Sequence, residues 1–214
     1  MQNKTYLFDF DGTLVDSMPS FISAVLKELD RYNCKYSSDI INIITPLGFN
    51  GTADYFIKTF NLKLTTEELV EAFKNNMASD YFYHIPAKSN VIKTLKTLKE
   101  QGASLNVLTA SPHITLDACL KRLDMFDLFD NVWSCEDFAT TKADPTIYTQ
   151  VAKKLGLNVE DILFLDDNLN ADLTAKSTGM KVCGVFDKSS IDFVEQMKKS
   201  CDYYIYDFNE LLEI

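Results

Sequence analysis

The sequence predicts an α/β fold: a doubly wound parallel sheet with an all-helical insertion after its first strand. Two observations carry this expectation. Short apolar segments alternate with amphipathic helical patterns through most of the chain, which is the signature of βαβ units joined by right-handed crossovers. The alternation lapses once, from about Ser17 to His84, where only helical periodicity is legible.

The strand candidates are Tyr6–Phe8, Leu105–Leu108, Val132–Ser134, Ile162–Leu165, Val182–Phe186 and Tyr203–Ile205. Between them, Val91, Leu95 and Leu98 mark one helical face, with Gly102 as a stop. Asp144 and Pro145 open a helix that continues through Ile147, Val151 and Leu155 to Gly156. Ala171 to Thr178 forms a shorter helix ending at Gly179. Within the insertion, Phe21, Ile22, Val25, Leu26 and Leu29 make a helical stripe, and Ala53–Phe60 makes a second. Thr65 and Glu68 form a capping box ahead of Leu69, Phe73 and Met77. The expected organisation is residues 1–15 and 86–214 as the α/β core, with residues 16–85 as an inserted helical domain.

Composition bounds the function. The chain has 214 residues, 46% hydrophobic and 24% charged, as in an ordinary globular protein. The net charge of −10 argues against nucleic-acid or anionic-membrane binding, both of which need clustered Lys and Arg. The apolar run Tyr6–Phe8 stops at Asp9, too short for an export signal, and no run approaches the roughly 18 apolar residues of a spanning helix. The five cysteines are odd in number and widely spaced, as expected of reduced thiols in a cytoplasmic protein.

Chemistry-bearing residues fall where strands stop. The first strand runs into Asp9-Phe10-Asp11-Gly12-Thr13, and in open α/β sheets the ligand site lies at the carboxyl ends of the strands. An Asp-Gly turn is the ordinary alternative. The second body strand ends in Thr109-Ala110-Ser111, hydroxyls that either contact an anion or simply cap the following helix. Lys142 precedes a helix start. The strand Ile162–Leu165 ends in Asp166-Asp167, with Asp172 further on. Vicinal carboxylates after an apolar strand repel each other unless a cation is present. Four carboxylates against one lysine leave an excess of negative charge, and oxygen ligands with no histidine favour Mg²⁺ over Zn²⁺. Since Mg²⁺ takes protein carboxylates together with substrate phosphate oxygens, the set reads as a phosphoryl-transfer site.

These residues resemble the motifs of the haloacid dehalogenase superfamily of phosphohydrolases. The stretch Asp9 to Ser17 matches its first motif, Thr109 the second, Lys142 the third, and Asp166-Asp167 with Asp172 the fourth. The insertion after the first motif is similar to the helical cap of the subfamily containing phosphoglycolate phosphatases and β-phosphoglucomutases. The resemblance implies a Rossmann-like core and an Mg²⁺-dependent phosphatase for a small phosphorylated metabolite, acting as a monomer. It implies Asp9 as nucleophile and Asp11 as general acid and base. Thr109, Ala110 and Lys142 would hold the phosphoryl group beside Asp9. Metal would be held by Asp9, Asp11 through its main-chain carbonyl, Asp166 and Asp167. Phe49 and Asn50, in the turn-rich segment Ile44–Gly51, are substrate-contact candidates, with an ordinary inter-helix turn as the alternative. Ala110 stands where the family commonly has Asn or Ser, which removes one side-chain contact. A sugar phosphomutase shares the same resemblance. A receiver domain and a non-catalytic binding protein are further alternatives; the order of the motifs and the inserted helices argue against the receiver.

Overall fold

The computed structural model describes residues 4–214. Six strands, β1 (Thr5–Phe8), β2 (Ser104–Thr109), β3 (Asn131–Ser134), β4 (Ile162–Asp166), β5 (Lys181–Val185) and β6 (Tyr203–Ile205), form one sheet in the order β3-β2-β1-β4-β5-β6. Every neighbouring pair is parallel. The order reverses direction at β1, so the first strand sits at the topological switch point, beside the strand that carries Asp166. The helices are α1 (Met18–Arg31), α2 (Ile40–Ile44), α3 (Gly48–Phe60), α4 (Thr66–Tyr83), α5 (Val91–Glu100), α6 (His113–Arg122), α7 (Thr146–Leu155), α8 (Leu169–Ser177) and α9 (Val194–Ser200).

The expected α/β class is the observed one. The central strands are apolar because helices cover both faces of a parallel sheet. Leu7, Leu108, Ile162, Phe164 and Val182 are buried together with Ile147, Tyr148, Val151 and Ala152 of α7 and Ala171 and Ala175 of α8. Phe8 stacks on Tyr6 and Phe208 and meets Phe129 edge-on.

The chain folds as two compact units, one running to Asp16 and resuming at Pro86, the other Ser17–Ile85. Two stretches connecting them run side by side within the first unit. Asp16 N–H donates to Pro86 O at 3.0 Å, Lys88 N–H to Leu14 O at 3.0 Å, and Val15 bridges Ala87. The second unit is all-helical, and its core includes Phe21, Val25, Leu29, Phe56, Leu69, Phe73 and Met77. The Thr65–Glu68 capping box forms in both directions, at 3.2 and 2.8 Å.

Two helix starts differ from expectation by two residues or more. α3 starts at Gly48 rather than Ala53, because Gly48 reverses the backbone at φ 61° directly into the helix. Phe49 and Asn50 therefore lie in a helical first turn, not in a loop. α8 begins two residues earlier than Ala171, because the Asn168 side chain accepts from the N–H groups of Asn170 and Ala171.

Candidate active site

Beyond β1 the backbone turns tightly. Leu14 and Val15 N–H both reach Phe10 O, and Gly12 N–H reaches Val15 O. Gly12 has φ 77°, and a Cβ placed on it would lie 2.5 Å from Asp167 Oδ2. Backbone conformation and space thus both demand glycine there. Asp9 N–H donates to Leu165 O at 2.8 Å, fastening the turn to the end of β4. The neighbouring Thr13 hydroxyl donates to Asp167 Oδ1 at 3.0 Å.

Lys142 lies at the centre of the charge arrangement. Its ammonium is 2.6 Å from Asp9 Oδ1 and 2.7 Å from Asp166 Oδ2. The other Asp166 oxygen accepts from Asn168 N–H at 2.8 Å. The Tyr148 hydroxyl lies 3.0 Å from Lys142 O and 3.2 Å from Ala171 O, its one proton placed between them, which ties the lysine's backbone to α8. Burial works against the charge on Lys142, but the carboxylates of Asp166 and Asp9 overcome it and hold the ammonium protonated.

Asp9, Asp166 and Asp167 are buried, with one carboxylate oxygen from each within 4.8 Å of the others. Among the described residues this is the one acid or His/Cys group able to enclose a metal ion. Burial pushes Asp9 up to about 7, Lys142 opposes the rise, and Asp166 adds to it. Burial, then Asp166 and Asp9, also raises Asp167 well above the carboxylate range. Three carboxyls are thus buried together where the paired ammonium contacts Asp9 and Asp166, and a cation would relieve the cost of ionising all three. An all-oxygen, anionic donor set fits a hard divalent cation.

Thr109 ends β2 and is buried; its Oγ1 accepts from Ser111 N–H at 3.1 Å, while Ala110 is exposed. The Ser111 hydroxyl donates to Asp11 Oδ2 at 2.5 Å. The Asp11 side chain is thus directed to the Thr109–Ser111 loop and is not one of the three clustered carboxylates. Asp172, on α8, is buried and accepts from Cys201 Sγ at 3.3 Å; its other oxygen has no hydrogen-bond partner among the described residues. Phe49 and Asn50 belong to the helical unit, where the Phe49 ring packs on Phe21 and Phe73 at 5.0 and 5.8 Å and Asn50 is exposed. Sequence reasoning gave no role to Thr13, Lys88 or Asp187, and none to Ser111 beyond an anion contact or a helix cap. The hydroxyls at 13 and 111 stand inside recognised motifs and could have been found; Lys88 and Asp187 carry no such signal.

An acidic cluster at the carboxyl edge of a parallel sheet, beside its switch point, defines an α/β protein with its polar site at the strand ends. A haloacid dehalogenase-like hydrolase family model matches residues 6–185, and the chain belongs to that family. Pyrophosphatase PpaX of Halalkalibacterium halodurans is 28% identical over 217 residues, covering 100% of this chain and 97% of its own. Phosphoglycolate phosphatase of Mannheimia succiniciproducens is 31% identical over 86% of each chain. A solved structure of a predicted phosphoglycolate phosphatase from Haemophilus somnus superposes with a TM-score of 0.81 at 25% identity, covering 100% and 98% of the two chains. A Thermotoga maritima protein assigned as a β-phosphoglucomutase shares the fold, with a TM-score of 0.76 at 20% identity and 99% coverage of each chain. No helix among the described residues is long and apolar enough to cross a membrane.

Proposed function

We propose that the protein is an Mg²⁺-dependent phosphatase that hydrolyses a small phosphorylated metabolite through an aspartyl-phosphate on Asp9. The observation that carries this reading is the Asp9 carboxylate, buried, 2.6 Å from the Lys142 ammonium and clustered with Asp166 and Asp167. The Asp9 oxygen attacks phosphorus, the ester P–O bond breaks, and the Asp11 carboxyl protonates the departing alkoxide. Asp11, now a carboxylate, takes a proton from water, whose oxygen attacks phosphorus and frees Asp9 and inorganic phosphate. The Ser111 hydroxyl holds Asp11 for both proton transfers. Lys142, the Thr109 hydroxyl and the backbone at Ala110 hold the transferring oxygens and oppose their charge. Asp9, Asp166, Asp167 and the Asp11 carbonyl would hold Mg²⁺, which, when bound, neutralises charge between nucleophile and phosphoryl group.

The helical unit is proposed as the cap that selects substrate, with Asn50 as the exposed polar candidate and Phe49 supporting it through Phe21 and Phe73. The names of the relatives support phosphomonoesters and pyrophosphate as the first compounds to try. The five cysteines are all free thiols, which supports a reducing compartment such as the cytoplasm.

The test is release of phosphate from p-nitrophenyl phosphate with Mg²⁺. Asp9→Asn is expected to lower kcat by about 10⁴-fold or more, as loss of a covalent nucleophile does, with the fold retained. EDTA is expected to stop turnover, and Ca²⁺ to leave it stopped. Near wild-type turnover by Asp9→Asn removes the nucleophile assignment, and an EDTA-insensitive rate removes the metal.

A further inference from the structure

Lys88 stands outside every motif, yet its ammonium is within hydrogen-bond reach of three oxygens at the edge of the acidic cluster. They are Gly12 O at 2.6 Å, Phe186 O at 2.6 Å and Asp187 Oδ2 at 3.0 Å. An ammonium has three donors and all three are used. The lysine's backbone is fastened as well: its N–H reaches Leu14 O, and its C=O accepts from Val91 N–H. Asp187 is buried, and its second oxygen accepts from Ser189 N–H at 2.9 Å. The lysine therefore joins the turn after β1 to the exit of β5, two segments that the sheet order separates by β4.

From this geometry we infer that Lys88 is a positioning residue for the phosphatase site. It fixes the peptide between Gly12 and Thr13 and neutralises Asp187 beside the carboxylate cluster. It acts through two neighbours. The peptide it holds leads directly into Thr13, the residue whose hydroxyl donates to Asp167. The carboxylate it pairs with would otherwise add a further negative charge where Asp9, Asp166 and Asp167 are already buried together. Asp187 raises and Lys88 lowers the affinity of Asp167 for a proton, in keeping with that placement. A main-chain carbonyl is the partner that matters most here. Asp187→Asn, which leaves the Gly12 and Phe186 oxygens in place, should therefore be milder than Lys88→Met, which vacates all three bonds.

The kinetic part of the inference rests on the phosphatase reading; its structural part does not. Lys88→Met is expected to lower kcat on p-nitrophenyl phosphate by about 10- to 100-fold with KM within about twofold, as misplacement of reacting groups does. In the metal-free protein the same variant is expected to speed amide exchange at Gly12, Leu14 and Val15 at least about tenfold, while the amides of β2 and β5 keep wild-type rates. Asp187→Asn is expected to fall between wild type and Lys88→Met, and the double variant to be no worse than Lys88→Met, because the pair acts as one unit. Unchanged kcat, a kcat loss without faster exchange in that turn, or a uniform rise across the sheet would each overturn the inference. Should Lys88→Met fail to fold, Lys88→Arg keeps the charge but not the compact three-donor head. The same local exchange with a smaller kcat loss is then expected, and wild-type behaviour in both overturns it. If the wild-type protein releases no phosphate, the phosphatase reading fails by itself, and exchange in the Gly12–Val15 turn still decides the role of Lys88.

Discussion

At Gly12 two independent demands meet. The backbone is left-handed at φ 77°, and the space a Cβ would take is held by the Asp167 carboxyl at 2.5 Å. A non-glycine residue in such a conformation costs about 1–2 kcal/mol before any clash is counted. The clash falls on Asp167, a buried member of the carboxylate cluster that also receives the Thr13 hydroxyl. Gly12→Ala is therefore expected to lower the stability of the metal-free protein by at least that amount and to weaken Mg²⁺ binding in the same variant. Urea unfolding and calorimetric titration with Mg²⁺ measure the two effects. Wild-type values in both would mean that the turn relaxes without moving Asp167.

At the start of α6, His113 bridges two carboxylates. Its ring nitrogens lie 2.9 Å from Asp117 Oδ1 and 2.9 Å from Asp137 Oδ2, the latter on the segment that follows β3. The hydrogen bond to Asp117, then that to Asp137, raises the affinity of the imidazole for its proton above the usual 6.5. A raised folded-state value means that this contribution to stability is complete below pH 6.5 and is lost as pH rises through the folded value. Wild-type protein should thus lose more stability between pH 6 and pH 9 than His113→Gln, and unfolding midpoints at the two pH values measure the difference. Equal losses would mean that the ring is neutral in the fold. This element also shows what the sequence discloses. Asp117 is four residues along the same helix and could be paired with His113 by spacing, whereas Asp137 is 24 residues away and meets it only through the fold. The strands were legible because each is a short apolar run that stops at a polar residue. Asp9 and Asp166 were legible because they stand where apolar runs stop, and Lys142 because it precedes a helix start. The start of α3 was hidden because Gly48 reads as a turn until its φ is known. Lys88 was hidden because two of its three partners are main-chain carbonyls, which leave no residue type to recognise.

For the molecule as a whole, the acidic excess of −10 has a local counterpart in three buried carboxylates, two of which, Asp9 and Asp166, share the Lys142 ammonium. Folding the metal-free chain brings these charges together in a poorly solvated place, and burial raises the proton affinity of Asp9 and Asp167 as a result. A cation that binds the folded chain and not the unfolded one must then stabilise it by mass action, by about 2.7 kcal/mol at a concentration of 100 Kd. For a chain of this size each kcal/mol moves the thermal midpoint by about 2–4 °C, so saturating Mg²⁺ should raise Tm by about 5–10 °C. The rise should vanish on adding EDTA and shrink in Asp167→Asn, which removes one of the three charges the cation offsets. Asp167→Asn should also be more stable than wild type when both are metal-free, since it relieves the same repulsion. Scanning calorimetry of the two proteins, with and without Mg²⁺, gives all four midpoints. An Mg²⁺ response of equal size in both proteins would place the bound cation away from the Asp9, Asp166 and Asp167 cluster.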